Sequence, residues 1–439
     1  MKGKSVFLTP FAGVLLLISI ISCTGNLGPV KGDENQPEGP GQDAGEQFSV
    51  SAPEVDGQID KMVLSDASRA IAGNAASFAF NLLKANAGTV PQNRLYSPLS
   101  LQMALGMLAE GVSPASAAEI ASVLGGFSNL ASYSEYCKSL VEQLPAVDTS
   151  TVVRNADAFI VNDRFTLRKS YRDAIAQYYY SPVESISFDD AEYVRSLVNS
   201  WCSRNTEGLI PSLLDNVTPD AAGYLLNALY FRARWQEQFD ARYQILKDQE
   251  FNAADAVVKM DFLTERDNMM YVDKGDFRAV RKLYGNGSYA FYAILPESAD
   301  IKSTLGLLAS GWNDVRQSMT TTDVALQMPK FRMECNEDMI ETFQSLGVKD
   351  VFDNPDFTGM FEDPYDFCVS GIRHKTFLSV DENGTEGAAA TIVEVIATEA
   401  GPDARHNEPV QFCADRPFIF VVSEETSGAI LFSGIMAGK

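Results

Sequence analysis

The sequence contains few of the residues from which catalytic and metal sites are usually built. Among 439 residues there are only two histidines, His374 and His406. The chain also lacks the Gly-x-Ser-x-Gly, His-Glu-x-x-His, phosphate-loop and dinucleotide-binding motifs. His374 lies in a strand-like run and is predicted to be a buried, hydrogen-bonded histidine, whereas His406 lies in a polar loop. We therefore expect a protein that is not an enzyme and that holds neither a metal nor a cofactor.

Positive charge is scarce as well. The chain carries 35 Lys and Arg against 58 Asp and Glu, which gives a net charge of −23 and a pI near 4.5. This balance argues against nucleic acid as a partner, because the phosphate backbone requires a basic surface. A hydrophobic content of 46% is ordinary for a packed globular protein. Length alone would suggest two or three domains.

Cysteine is present in a pattern that does not form an obvious framework. After Cys23, five cysteines remain, and no two of them stand at Cys-x-x-Cys spacing. An odd number of scattered cysteines predicts buried free thiols, with a single disulfide as the open alternative. They are Cys137, Cys202, Cys335, Cys368 and Cys413.

The N-terminal residues have the pattern of a targeting segment. Lys2 and Lys4 precede an apolar run, 14–21, which ends just before Cys23. This resembles a bacterial lipoprotein signal, 1–22, with Cys23 as the lipidated residue. A plain secretory signal or a short membrane anchor is the alternative, although the run is too short to span a bilayer comfortably. We therefore expect a protein anchored by lipid in the bacterial cell envelope, with the cell surface as one location.

The residues that follow predict a tether and then a folded body. Residues 23–65 are predicted to be a disordered tether, because most of them are Gly, Pro, Glu, Asp or Gln. A helix is predicted from the N-cap pair Ser65–Asp66, and another from Ser97–Pro98 after a short strand. Further elements are an amphipathic helix within 198–214 that closes at 205–208, a strand beginning at Leu225, and a helix ended by Gly347.

A stretch near the C-terminus has the period of a strand. From Thr385 the residues alternate between two faces, and both glutamates, Glu386 and Glu394, fall on the same face. The other face can therefore be buried in a sheet as far as Thr398, after which Glu399 returns a charge to it. The face predicted to be buried consists of Thr385, Gly387, Ala389, Thr391, Val393, Val395 and Ala397. An exposed polar loop follows, and such a loop is open to proteolysis.

This stretch resembles a known family. The run from Glu382 to Glu386, followed by small residues to Thr391, is similar to the hinge of a serpin's reactive-centre loop. Further motifs agree in the same order, including 369–375, 414–420 and 428–434. The resemblance covers about Asp66 to Lys439. It implies a single serpin domain over 66–439, of α+β class, with large mixed β-sheets, surrounding helices and an exposed reactive-centre loop. A monomer is expected.

The resemblance also implies site residues. The hinge of the reactive loop would consist of Glu382, Gly384, Thr385, Glu386, Gly387, Ala388, Ala389 and Ala390. A group called the shutter and breach would consist of Ser97, Ser100, Asn227, His374 and Trp235. Asn227 matches a position that bonds the histidine equivalent to His374, and Trp235 matches a tryptophan under the point where the loop joins the sheet. Ordinary core packing is the alternative interpretation of Asn227 and Trp235.

The function implied is suicide inhibition of serine proteases, and of cysteine proteases as a further class. In this mechanism the protease cuts the loop, is caught as an acyl-enzyme, and the loop inserts into the sheet. Family spacing places the cut between Thr398 and Glu399, which suits elastase-like or subtilisin-like proteases with small-residue specificity. Arg405 is the rival site for trypsin-like enzymes. A non-inhibitory serpin, or a surface lipoprotein that acts as a binding module, is the alternative.

Overall fold

The computed structural model describes residues 12–22, 57–127, 129–218, 220–353, 355–363, 366–385 and 408–438. Its helices are α1 Asp66–Asn86, α2 Pro98–Ala109, α3 Pro114–Val123, α4 Leu130–Gln143, α5 Lys169–Tyr179, α6 Ala191–Asn205, α7 Ile301–Gln317, α8 Ile340–Leu346 and α9 Asp350–Asp353. The first eight strands are β1 Ala12–Ser22, β2 Arg94–Tyr96, β3 Val152–Asn162, β4 Val183–Ile186, β5 Ala221–Arg234, β6 Ile245–Asn252, β7 Val257–Asp273 and β8 Phe277–Tyr284. The others are β9 Tyr289–Pro296, β10 Thr320–Pro329, β11 Phe331–Asp338, β12 Phe367–Val380, β13 Gly384–Thr385, β14 Val410–Cys413, β15 Phe418–Glu424 and β16 Ile430–Met436.

Two mixed sheets organise the described residues. The first sheet has the order β11-β12-β1-β5-β3-β4, and the two-residue strand β13 also pairs with β5. The second has the order β14-β10-β7-β8-β9-β15-β16-β2, with β6 paired to β7. Helix α2 packs against strands of both sheets and α1 packs against β2 and β16 of the second sheet, so that one core lies between the two sheets. This arrangement confirms the predicted α+β class.

The middle of the first sheet is buried on both faces. On one face Leu16, Ile18 and Ile20 of β1 join the main core. On the other face Leu17 joins a second cluster, which includes Trp201 of α6. Burying each of these large side chains stabilises the fold by roughly 1.5–3 kcal/mol. A strand covered on both faces needs a continuous apolar run, and residues 14–18 supply one.

The strand β1 is the unexpected element of this sheet. Residues 1–22 were predicted to be a lipoprotein signal, and that role stays a prediction. In the structure Ala12–Ser22 is hydrogen-bonded to β12 on one side and to β5 on the other, antiparallel to both. We call the space between β5 and β12 the strand slot. An apolar run that could be a leader therefore fills the strand slot in this structure.

The predicted tether ends earlier than residue 65. Residues 57–65 lie against the body, with Met62 4% and Leu64 6% exposed. The backbone of Val63 is paired with the side chain of Gln143, which donates to the Val63 carbonyl at 3.0 Å and accepts from its N–H at 2.7 Å. Burial of the two apolar side chains explains why the ordered body begins before the predicted boundary. The rest of the tether, 23–56, lies outside the described residues.

Local sequence signals set the helix ends. The Ser65 hydroxyl accepts from the Ser68 N–H at 3.1 Å, which confirms the predicted cap of α1. The helix predicted from Val198 begins earlier, at Ala191, and ends at Asn205, within the residues 205–208 that were predicted to close it. Its end follows from the backbone of Glu207 and Gly208, whose φ angles of 52° and 78° leave the helical region. Among the described helices, none combines the length and the apolar character needed to cross a bilayer.

Candidate functional site: the hinge and the strand slot

Trp235 directly follows the last residue of β5 and anchors the segment that follows β12. Its ring is 2% exposed and stacks on Tyr284 with the ring centroids 4.3 Å apart. The indole N–H donates to the carbonyl of Asp381 at 2.7 Å, and the Trp235 backbone N–H donates to the carbonyl of Asn383 at 2.9 Å. Lys282 lies over the same ring, 5.7 Å from its centroid. Trp235 thus contacts both Asp381 and Asn383 of the segment that follows β12.

The hinge segment, Asp381–Thr385, begins a new strand beside β5. Gly384 pairs with Arg234, and Thr385 pairs with Ala233, in antiparallel register. The φ angle of Gly384 is +141°, and an added Cβ would lie 2.3 Å from the carbonyl oxygen of Ala233. No side chain fits at such a distance, so this pairing requires glycine. Thr385 is fully buried, and its hydroxyl lies 2.8 Å from that of Tyr284.

Charged groups hold the hinge segment from its other side. Glu382 forms an ion pair with Lys330, and both side chains are about a quarter exposed or less, at 20% and 25%. Burial raises the pKa of Asp381 to about 6. The Asp381 carboxylate accepts from the Asn383 N–H at 2.8 Å, which closes a turn just before Gly384. We call the set Trp235, Tyr284, Lys330, Asp381 and Glu382 the breach corner.

The shutter residues lie in the middle of the first sheet, below the breach corner. Ser97 caps α2 by accepting from the Ser100 N–H at 3.1 Å, and Ser100 in turn donates its hydroxyl proton to the amide oxygen of Asn227. The Asn227 side-chain N–H group donates to Asp157 at 2.8 Å and to Asn155 at 2.9 Å. The buried amide predicted to need partners therefore has them.

His374 is fully buried on the neighbouring strand β12. Its Nε2 accepts from the Ser97 N–H at 3.1 Å and lies 2.8 Å from the Thr376 hydroxyl. Burial lowers the pKa of His374 to about 3, so the ring is neutral at physiological pH. Within the described residues, His374 Nδ1 has no hydrogen-bond partner. This histidine is a buried structural group, as predicted.

The predicted bond between Asn227 and His374 is absent from the structure. Leu16 of β1 pairs with His374 on one side and with Asn227 on the other. An intervening strand separates its two neighbours by about 9–10 Å, which is too far for a direct hydrogen bond. The prediction fails because it placed β5 next to β12, whereas β1 occupies the strand slot between them.

With the geometry of the hinge and the strand slot established, comparison with known proteins gives the family. Residues 73–437 match the sequence model of the serpin (serine protease inhibitor) family. The chain is a serpin. It therefore belongs to a family of protease inhibitors rather than catalytic enzymes, whose usual targets are serine proteases.

Relatives and solved structures agree with this membership. This serpin is 32% identical over 367 residues to Serpin-ZXA of Oryza sativa subsp. japonica, covering 79% of this chain and 90% of the relative. It is 29% identical to an uncharacterized serpin-like protein of Thermococcus kodakarensis, covering 82% and 84%. Its structure resembles that of tengpin, a thermophilic serpin in the native state, with a TM-score of 0.75, 26% identity and coverage of 90% and 99%.

Part of the predicted site lies outside the described residues. This holds for the hinge positions Glu386 to Ala390, for the predicted cleavage site Thr398–Glu399, for the rival Arg405, and for Cys23. The structure does bring together Glu382, Gly384 and Thr385 at the breach corner, beside Trp235. It also brings Ser97 and Ser100 between Asn227 and His374.

Sequence reasoning missed four partners of this site. Lys330 and Tyr284 hold the hinge segment, Asp381 joins that segment to Trp235, and Asp157 holds Asn227. Of these four residues, Asp157 is the one that the sequence indicates most clearly, because an acidic residue in the apolar run 156–161 needs a buried partner. Burial raises the pKa of Asp157 to about 7, although its hydrogen bonds from Asn227 and Asn155 oppose that rise.

The prediction of buried thiols holds for two of the five cysteines, whereas Cys335, Cys368 and Cys413 are only half-buried. Cys137 and Cys202 are buried, and burial raises the pKa of both thiols well above the usual range. A thiol kept protonated in an apolar core is a poor nucleophile. These two residues therefore act as small core side chains.

Proposed function

We propose that this serpin inhibits serine proteases, with cysteine proteases as a further class, by inserting its cut reactive loop into the first sheet. One observation supports this above the others: Gly384 and Thr385 are already hydrogen-bonded to β5 at the end of the strand slot. A loop that is released by cleavage could lengthen this pairing residue by residue, in the direction already set. The fully buried Thr385 marks the face that must remain free of charge.

The sequence after Thr385 supports the same proposal. Residues 387–390 are Gly-Ala-Ala-Ala, which are small enough to enter a packed sheet first. We propose cleavage after Thr398, and therefore targets with small-residue specificity, such as elastase-like or subtilisin-like proteases. Cleavage after Arg405 would leave about 23 Å of extra chain at roughly 3.3 Å per residue, so the protease would be pulled less tightly. We expect release of the protease in that case.

The decisive experiment compares two substitutions in the hinge segment. Thr385→Arg puts a cation into a fully buried position, whereas Asn383→Arg puts the same cation at an exposed one. Each protein is first processed before Cys23 and then mixed with elastase-like and subtilisin-like proteases, and the fraction converted to an SDS-resistant adduct is measured. Thr385→Arg should be cleaved like a substrate, with at least tenfold less adduct than the parent. Asn383→Arg should match the parent.

Two results would contradict the proposal. One is that no protease in the panel forms an adduct with any of the three proteins. The other is that Thr385→Arg forms as much adduct as Asn383→Arg. Sequencing the fragment that is released also locates the cut, and an adduct formed at Arg405 would overturn the assignment to Thr398.

A non-inhibitory binding role is the second candidate, and the presence of β1 in the strand slot favours it. The fold is compatible with such a role, since thyroxine-binding globulin, solved in complex with thyroxine, shares the fold with a TM-score of 0.70 at 20% identity. A protein of this kind would keep its binding activity in the Thr385→Arg variant. Its unfolding temperature would also be unchanged when the loop is cut.

We further propose that Cys23 is lipidated and anchors this serpin in the bacterial cell envelope through the segment that follows it. The sequence pattern at 1–23 supports this location. Metabolic labelling with a fatty acid should mark the parent protein in a bacterial host and leave Cys23→Ser unlabelled. Equal labelling of both proteins would contradict the proposal.

A further inference from the structure

We infer that residues Ala12–Ser22 and the reactive loop compete for one position in the first sheet, so that removing the N-terminal segment releases the inhibitor. This inference rests on the proposed function. It gives the predicted leader a second role. While β1 occupies the strand slot, the inhibitor stays inactive until the chain is cleaved before Cys23.

The strand slot accepts β1 along its whole length. On the β5 side the pairing runs from Ala12 with Phe231 to Ile21 with Ala221. On the β12 side it runs from Gly13 with Phe377 to Ser22 with Phe367. The backbone N–H and C=O groups of β5 and β12 that face the strand slot are therefore paired with β1. A second strand would find no hydrogen-bonding partners there.

The side chains of β1 make the occupation specific. Leu16, Ile18 and Ile20 are each 0% exposed and face the main core, and Leu17, at 1%, faces the α6 side. Ser19 is only half-buried and interrupts the apolar face on the α6 side. Among residues 16–20, the apolar side chains thus pack into the cores on both faces of the sheet, and only Ser19 is polar.

The hinge and β1 follow one another along the same strand. β13 pairs with Ala233 and Arg234 of β5, and β1 starts two residues farther on, at Phe231. Both run antiparallel to β5. An inserting loop that continued the register of β13 would thus meet β1 almost at once.

Continuing that register shows which residues would be exchanged. Thr385 faces Ala233, so Thr391 would face Asn227, the position that Leu16 now holds. By the same count Val393 would replace Ile18, and Val395 would replace Ile20. These loop residues belong to the face predicted from sequence to be buried, and they correspond to the β1 residues that are buried here. The two segments are therefore alternative strands with the same orientation.

The test uses the full chain with Cys23→Ser as the unprocessed parent, and two substitutions in β1. Leu16→Asp puts a charge into the main core and should expel β1, whereas Ser19→Asp puts the same charge at a half-buried position. Amide hydrogen exchange at residues 16–20 reports whether β1 is seated, without any protease. Adduct formation with an elastase-like protease reports whether the strand slot is open.

We expect slow exchange at residues 16–20 in the parent and in Ser19→Asp, and fast exchange in Leu16→Asp. The Leu16→Asp variant, and the protein processed before Cys23, should form adduct at least tenfold faster than the parent. Fast exchange in the parent would overturn the inference, and so would adduct that forms measurably and at the same rate in the parent and the processed protein.

A failure of the proposed function gives a different result. If no form makes an adduct, the unfolding temperature is measured before and after cutting the loop. A rise in Leu16→Asp or the processed protein, with none in the parent, supports competition for the strand slot while rejecting inhibition. If cutting the loop changes the unfolding temperature equally in all forms, the competition for the strand slot is overturned as well.

Discussion

The breach corner lies where β5 and β12 end, whereas the shutter lies at the middle of the same two strands, and the two regions are built differently. At the breach corner the hinge segment is held by backbone pairing, by two hydrogen bonds from Trp235 and by the Lys330–Glu382 ion pair. At the shutter, by contrast, His374 and Asn227 form separate hydrogen bonds, each on its own strand, with β1 between them. The breach corner thus fixes where an added strand must start. In the middle of the sheet, β5 and β12 can lie apart without leaving Asn227 unpaired.

The largest effect should come from removing the anchor of the breach corner. Trp235→Ala deletes a buried indole and should reduce the free energy of unfolding by about 3–5 kcal/mol. Trp312→Ala, at an equally buried site away from the hinge, should cost a similar amount. Only Trp235→Ala should also speed amide exchange at Gly384 and Thr385. Equal exchange in the two variants would mean that the indole does not hold the hinge.

The shutter can be tested through pH. The carboxyl of Asp157 has an ordinary pKa of 3.8 and a folded-state pKa of about 7, so it contributes stability below pH 4 that is lost as the pH rises through 7. Asp157→Asn removes this dependence. Relative to the parent, its free energy of unfolding should improve by about 2–3 kcal/mol between pH 5 and pH 8, as measured by urea denaturation.

His374 supplies the opposite control for that measurement. Its pKa falls from 6.5 to about 3 on folding, so its contribution is complete above pH 6.5 and is lost as the pH falls toward 3. His374→Gln should therefore gain stability relative to the parent as the pH is lowered from 7 to 4. A difference that is flat with pH in both variants would contradict this account of the shutter.

The smallest effect should come from the ion pair of the breach corner. Lys330→Ala should cost about 1 kcal/mol, because the pair is only partly exposed, whereas Lys259→Ala should cost close to nothing. Lys259 pairs with Glu250 at a site where both side chains are more than half exposed. The double exchange Lys330→Glu with Glu382→Lys should restore most of the loss. Thermal unfolding that gives a different order of stabilities for these variants would show that the ion pair does not stabilise the breach corner.

Local signals predicted much of this structure. The cap at Ser65, the Ser97 start of α2 and the end of α8 at Gly347, where φ is 115°, depend on a few neighbouring residues. The hinge was predicted from its sequence motif, and Gly384 has the close backbone contact that only glycine permits. These features need no knowledge of the rest of the chain.

Other features depend on partners that are distant in sequence. An apolar run such as 14–21 is typical of a leader and also of a strand buried on both faces, and its period does not separate the two. Lys330 is an unremarkable lysine until β10 and β11 bring it to Glu382. The separation of Asn227 from His374 likewise follows from a strand that the motif pattern does not contain.

The position of β1 also has a consequence for the order of folding. A ribosome makes this segment long before β5, and β12 emerges only near the end of synthesis. Its apolar residues must therefore remain unpaired, or be held by something else, while most of the domain is made. Contacts between such remote parts of a chain form slowly. The partner that binds this apolar segment during synthesis therefore determines whether β5 and β12 can later pair with it.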